Sequence, residues 1–189
     1  MRNVLNCINA FVPLLSTEYE LVLGRKGVAV TLRISFDKKD CFHLMGLQYL
    51  IDRPELSRDR SKVFDEIANG TITIEKIESS DFYKKIEQRV HFLPLLEQMI
   101  DSNDTVFKYN KKTNMYSMIE ADYLLKNNME SRNLFLFLSN EAEDNYFCRS
   151  FFPEEKMDYS KNQASWTLIY KKKIDLSTGT EIVLFNRMK

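Results

Sequence analysis

Residues 28–36 alternate large apolar side chains with small or polar ones without a break, and this pattern restricts the fold more than any other in the 189-residue chain. Val28, Val30, Leu32, Ile34 and Phe36 fall on one side of an extended backbone, and Ala29, Thr31, Arg33 and Ser35 on the other. Side chains of a strand point alternately to its two faces, so this period of two predicts a strand with one buried face. Residues 19–23 form a second strand-like run. The link Gly24-Arg25-Lys26-Gly27 carries the glycines of a tight turn, so the pair reads as a hairpin.

Around the hairpin the first half of the chain has helical spacing. Val4, Leu5, Ile8, Phe11, Val12 and Leu15 recur as one apolar stripe, ended or kinked by Pro13. Asp37, with Asp40 three residues on, makes a capping-box-like start for a helix that runs through 41–50 and stops before Pro54. A short helix over 62–68 ends at Asn69-Gly70, and 71–74 reads as extended. Ser80-Asp81 caps a longer helix with Phe82, Ile86, Val90, Leu93 and Leu96 on one face, split at Pro94. After Asp101 the runs 105–109, 115–119, 134–138, 146–152, 166–172 and 181–185 predict strands, with a short helix over 120–128. The expectation is one α+β domain over 1–189. In it 1–100 is mainly helical with a hairpin, and 101–189 is mainly a small antiparallel sheet.

Composition removes several classes of function. The 27 basic and 27 acidic residues balance, unlike those of a supercharged nucleic-acid coat protein. Cys7, Cys41 and Cys148 are odd in number and far apart, so they predict neither a zinc site nor a disulfide scaffold. Two histidines cannot build a His-rich metal centre, and five glycines include neither a GxGxxG nor a P-loop pattern. A site made of carboxylates alone stays open; otherwise no metal and no cofactor is expected. There is no apolar run of membrane-spanning length, and polar residues interrupt the N-terminal segment too early for a secretory signal. A cytoplasmic protein is expected.

His43 is the first candidate for chemistry. Gly46 lies three residues on, hence beside it on a helix surface, and a mid-helix glycine implies that another group approaches closely. Histidine titrates near neutrality and serves as a general acid, a general base or a phosphate contact. The competing role is a histidine bonded to a backbone carbonyl at a tight helix crossing. In Tyr146-Phe147-Cys148-Arg149-Ser150-Phe151-Phe152, Arg149 either pairs with a carboxylate or faces a concave surface that receives an anion. Strand alternation puts Ser150 on the opposite face, where it reaches a ligand only if the strand ends or bulges there. No GxSxG elbow surrounds it, which argues against a serine-hydrolase nucleophile. Lys108, Lys111 and Lys171 lie among aromatic residues and are candidate RNA contacts, or else protect solvated strand edges. Arg53, Arg58 and Arg60 alternate with Asp52, Glu55 and Asp59 and read as a surface ion-pair network.

Four segments in order carry a resemblance. They are Phe42-His43-Leu44-Met45-Gly46-Leu47, Phe92-Leu93-Pro94-Leu95-Leu96, Ile119-Glu120-Ala121-Asp122-Tyr123-Leu124, and Arg149-Ser150-Phe151-Phe152-Pro153 followed by Tyr159. Their succession resembles the phage and mobile-element branch of the Barnase–EndoU–Colicin–RelE nuclease-like superfamily, over about residues 2–175. The resemblance implies a barnase/RelE-like nuclease core and metal-independent RNA cleavage by attack of the ribose 2′-hydroxyl on the adjacent phosphate. It implies His43 as base or acid and Arg149 as phosphate clamp. It also implies Ser150 and Tyr159 as residues that position the substrate or donate a hydrogen bond to it. The resulting reading is an endoribonuclease of a phage or mobile element, with a toxin or defence role and a cognate inhibitor protein among its partners. The alternatives are a catalytically inactive protein-binding module on the same fold, and an RNA-binding protein without turnover.

Overall fold

A computed structural model describes residues 2–102, 105–113 and 117–187. Helix α1 (Val4–Phe11) opens with a reciprocal cap: Asn3 accepts from the Asn6 backbone N–H, and Asn6 accepts from that of Asn3. It buries Val4, Cys7, Ile8 and Phe11. The hairpin follows as β1 (Thr17–Arg25) and β2 (Val28–Ile34), paired from Tyr19↔Ile34 to Arg25↔Val28. Lys26 and Gly27, both at positive φ, make the two-residue turn that matches strand twist. Four helices come next: α2 (Lys38–Met45), α3 (Arg60–Ala68), α4 (Ile74–Glu78) and α5 (Glu87–Phe92). Helix α6 (Leu96–Ser102) completes the helical part. The remaining strands are β3 (Thr105–Lys108), β4 (Tyr123–Met129), β5 (Arg132–Ala142), β6 (Asn145–Pro153), β7 (Ala164–Asp175) and β8 (Thr180–Asn186).

The expected small antiparallel sheet following separate helices and a hairpin is not what forms. One eight-stranded sheet takes in both halves of the chain in the order β1-β2-β6-β5-β4-β3-β7-β8, and β1 also pairs with β7, closing seven strands into a barrel. The sheet is mixed, because β2 runs parallel to β6 through Arg33↔Asn145 and Ile34↔Tyr146. The physical reason is the hairpin itself. Two strands alone are marginal in water and expose two unpaired edges. Here β7 covers one edge from Thr17↔Asp175 to Gly24↔Thr167, and β6 meets the other.

Four local expectations also change. Residues 120–128 are not a helix: Tyr123, Leu124 and Leu125 are all buried, as in a strand covered on both faces, and β4 pairs with β3 and β5. Residues 71–74 are not extended, because Thr73 caps α4 through the Lys76 N–H. The helix begun at Asp37 stops at Gly46 rather than near residue 50. The expected strand 115–119 lies partly outside the described residues, and 117–119 form none.

Inward-facing strand residues such as Leu21, Leu32, Ile34, Leu136, Leu138 and Phe151 share one core with Phe11, Cys41, Leu44 and Met45 of the helices. A second cluster on β4 and β5 joins Leu124, Phe135 and Phe137 to Tyr109, with Phe152 and Tyr159 packed against it. Phe137 and Phe152 stack with centroids 5.6 Å apart. Buried Lys171, 1% exposed, donates to the Ile100 carbonyl at 2.6 Å and the Asp101 carbonyl at 3.2 Å. A cation at the α6 C-terminus satisfies carbonyls that have no intrahelical partner. Lys171 is therefore inside the protein and not on a surface that RNA reaches. Among the described residues no helix is long and apolar enough to cross a membrane.

Candidate functional site

Helix α2 sets the position of His43. The Asp37 carboxylate accepts from the Lys39 N–H at 2.9 Å, and Asp40 accepts from the Asp37 N–H at 2.8 Å. At the other end the chain turns out at Gly46, φ 82°, whose N–H donates to the His43 carbonyl. A Cβ on Gly46 would lie 3.0 Å from Arg89 Cδ and from Ile86 Cγ2. The glycine thus serves a left-handed cap and a close approach of α5 together. Gly46→Ala is expected to cost about 1–2 kcal/mol from the backbone conformation alone, read as a lowered urea midpoint.

The His43 ring is half-buried, and Arg60 Nη1 from α3 meets its Nε2. A guanidinium only donates, so this contact leaves Nε2 as acceptor and the imidazole neutral, with its proton on Nδ1. Burial, then the charges of Arg60 and Arg149, hold the His43 pKa below its usual 6.5. At neutral pH this is a histidine ready to accept a proton. Arg60 is thus no member of the expected ion-pair network, although Arg53 pairs with Asp52 at 3.5 Å and Arg58 with Glu66 at 3.6 Å.

Strand β6 bends where the site needs it. Phe137 pairs with Ser150 but Leu138 pairs with Cys148, so Arg149 has no opposite residue and forms a bulge. Cys148 and Phe151 both face the core across this irregularity, and Arg149 and Ser150 between them both line the same cleft. The opposite-face expectation for these two residues fails for that reason. Arg149 is exposed, and among the described residues no carboxylate lies within 4.0 Å of its guanidinium. Arg89 of α5 locks the bulge by donating to the Phe151 carbonyl at 3.0 Å and to Ser150 Oγ at 3.5 Å. Its guanidinium lies over the rings of Phe152 at 5.0 Å and Tyr49 at 5.8 Å.

His43, Arg60, Arg89, Arg149 and Ser150 line one cleft of about 690 Å³ with acidic Asp37, Asp40 and Glu141 on its wall. A second depression of about 470 Å³ continues past Arg149 to Lys111 and Glu120. Lys111 is 3.1 Å from Glu120, and Lys111, then Arg149, hold that carboxyl below the usual range. Tyr159 stands apart from His43, in a third depression that shares Arg89 and Ser150 with the main cleft. Burial raises its phenol pKa, which keeps the hydroxyl protonated. Lys108 covers the Tyr123 ring at 4.3 Å and pairs at 3.4 Å with Asp122, which lines the second depression, and Lys108 itself lines none of the three. His91 packs on Phe92 and meets Glu130 at 3.4 Å, also away from His43. Among the described residues no group of three or more His, Cys, Asp or Glu side chains is placed to hold a metal ion.

Burial pushes the Asp40 carboxyl from 3.8 up to about 6. The unfolded chain therefore loses this proton first, and between about pH 4 and pH 6 the native state binds more protons than the unfolded one. Asp40 makes stability fall as pH rises through that window, and the loss is complete above it. Asp40→Asn, which keeps an acceptor for the Asp37 N–H, is expected to flatten this slope in thermal melts from pH 4 to 7.

Arg60 and Arg89 were both missed by sequence reasoning. Arg89 did carry a signal: it lies three residues after Ile86 and four before Leu93, on the apolar face of its helix, where a charge must find partners. Arg60, directly after the Asp59 cap, carried none.

The cleft thus gathers three guanidinium groups, three carboxylates and a neutral histidine. The chain belongs to the family described as phage-Barnase-EndoU-ColicinE5/D-RelE like nuclease 4 (PBECR4), whose model matches residues 3–187. This places it among nucleases of the barnase, EndoU, colicin and RelE type in a phage context. Neither a curated protein nor a solved structure matches it.

Proposed function

We propose that the protein is a metal-independent endoribonuclease acting in the His43–Arg149 cleft. The observation that carries this reading is the shared cleft, in which a neutral histidine and an arginine with no carboxylate within 4.0 Å among the described residues stand beside a strand bulge. An RNA phosphate entering there gives Arg60 an anionic partner in exchange for the His43 lone pair. His43 Nε2 then takes the proton of the ribose 2′-hydroxyl as its oxygen bonds to phosphorus. Arg149 stabilises the charge that builds on the phosphorane. The P–O5′ bond breaks, leaving a 2′,3′-cyclic phosphate; the departing 5′-oxygen takes a proton from water to become a hydroxyl, and His43 releases the proton it accepted to solvent. Ser150 and Tyr159 position the substrate, Tyr159 as a hydrogen-bond donor. A cytoplasmic toxin or defence effector restrained by an inhibitor protein is the cellular role that accords with such chemistry.

The test is incubation of the full chain with mixed-sequence single-stranded RNA in EDTA. Cleavage is expected. Intact RNA with a folded protein sinks the reading and favours the binding module, for which Met118, 88% exposed at the rim of the cleft, already speaks.

A further inference from the structure

We infer that the depression between Tyr49, Gln88, Phe152, Glu155 and Tyr159 is a nucleobase subsite, which holds the base next to the phosphate at Arg149 and Ser150. The inference rests on the ribonuclease reading and adds the part of the substrate that reading leaves unplaced. The depression measures about 420 Å³, within the range of small-ligand sites, and shares Arg89, Ser150 and Tyr49 with the cleft of His43. The two depressions therefore adjoin at Ser150.

Its lining divides by chemistry. Phe152 and Tyr159 have ring centroids 5.4 Å apart, and the Arg89 guanidinium lies 5.0 Å from the Phe152 ring and 5.8 Å from that of Tyr49, so one side is built of aromatic rings and a planar cation. Single-stranded bases stack on such surfaces and are read at their hydrogen-bonding edges. Exposed Gln88 and Glu155 supply that edge: an amide that both donates and accepts, and a carboxylate that accepts N–H groups. The depression on the other side of Arg149 differs. Apart from the shared Phe147 its described lining is Lys111, Glu120, Ala121, Asp122, Ser139 and Asn140, with no other ring. That surface suits sugar and phosphate, and the asymmetry assigns the base to the Tyr159 side.

Titration of the full chain with the four nucleoside 3′-monophosphates and with inorganic phosphate tests this. The nucleotides are expected to bind about tenfold or more tighter than phosphate, with Tyr49→Ala and Gln88→Ala each removing about that advantage and Gln88→Ala, at a position outside the phosphate cleft, leaving phosphate affinity unchanged. Glu155→Gln is expected to change the ranking of the four bases. Equal binding of nucleotides and phosphate, no binding of either, or a Gln88→Ala variant that weakens both alike would overturn the subsite. Base-dependent binding with RNA left intact in EDTA keeps the subsite and removes the ribonuclease reading. Cleavage that ignores base identity and all three substitutions does the reverse.

Discussion

His43→Ala is expected to lower RNA cleavage by about 100-fold or more, with kcat carrying the loss, since proton transfer by a positioned side chain contributes about 10²–10⁴-fold. The ring is half-buried, and alanine is the better helix former, so α2 and its capping box should persist. An unchanged circular dichroism melt beside lost turnover separates chemistry from folding. The pH profile supplies a second readout. A base must be unprotonated, so the wild-type rate should rise with pH through a midpoint below 6.5 and then level. Arg60 lowers that midpoint by its charge, and Arg60→Ala should therefore move the rise to higher pH. A purely structural histidine would give no such coupling between a neighbour's charge and a rate.

Arg149→Ala should cost about 10²–10³-fold, the range found when one preorganised donor to a developing oxyanion is removed. The residue is exposed and sits in a bulge without a cross-strand neighbour, so its side chain contributes little to the sheet. Arg149→Lys keeps the charge but loses the planar fork, and only partial recovery is expected. If lysine restored full activity, Arg149 would act by general charge and not as a phosphate clamp. Arg89 is a different case. Its removal takes away the tie to the Phe151 carbonyl, so any loss there mixes the cleft with the bulge that shapes it.

Local signals were legible and long-range closure was not. The alternation over 28–36 and the Asp37–Asp40 cap are short-range features, and both elements form from the residues that announced them. Gly46 was read as marking a close approach, and α5 supplies it through Arg89 and Ile86. The barrel, in contrast, depends on β1 pairing with β7 and β2 with β6, segments far apart in sequence whose edges carry no mark of their partners. Tyr123-Leu124-Leu125 was misread because a fully buried apolar run has no period, and its pairing on both sides settles it as a strand. At the site, strict alternation separated Arg149 from Ser150. The extra residue that brings both to one cleft shows only in the register between β5 and β6.

The most direct test of the central claim is the chemistry of the product ends. RNA cut by the wild-type chain in EDTA is analysed by mass spectrometry, beside the same RNA carrying a single 2′-deoxy nucleotide at the cleavage position. Attack by the 2′-hydroxyl within the His43–Arg149 cleft predicts 2′,3′-cyclic phosphate and 5′-hydroxyl ends, and no cut at the deoxy position. Products with 3′-hydroxyl ends, unimpaired cutting at the deoxy position, or cleavage that appears only when a divalent metal is added would contradict it.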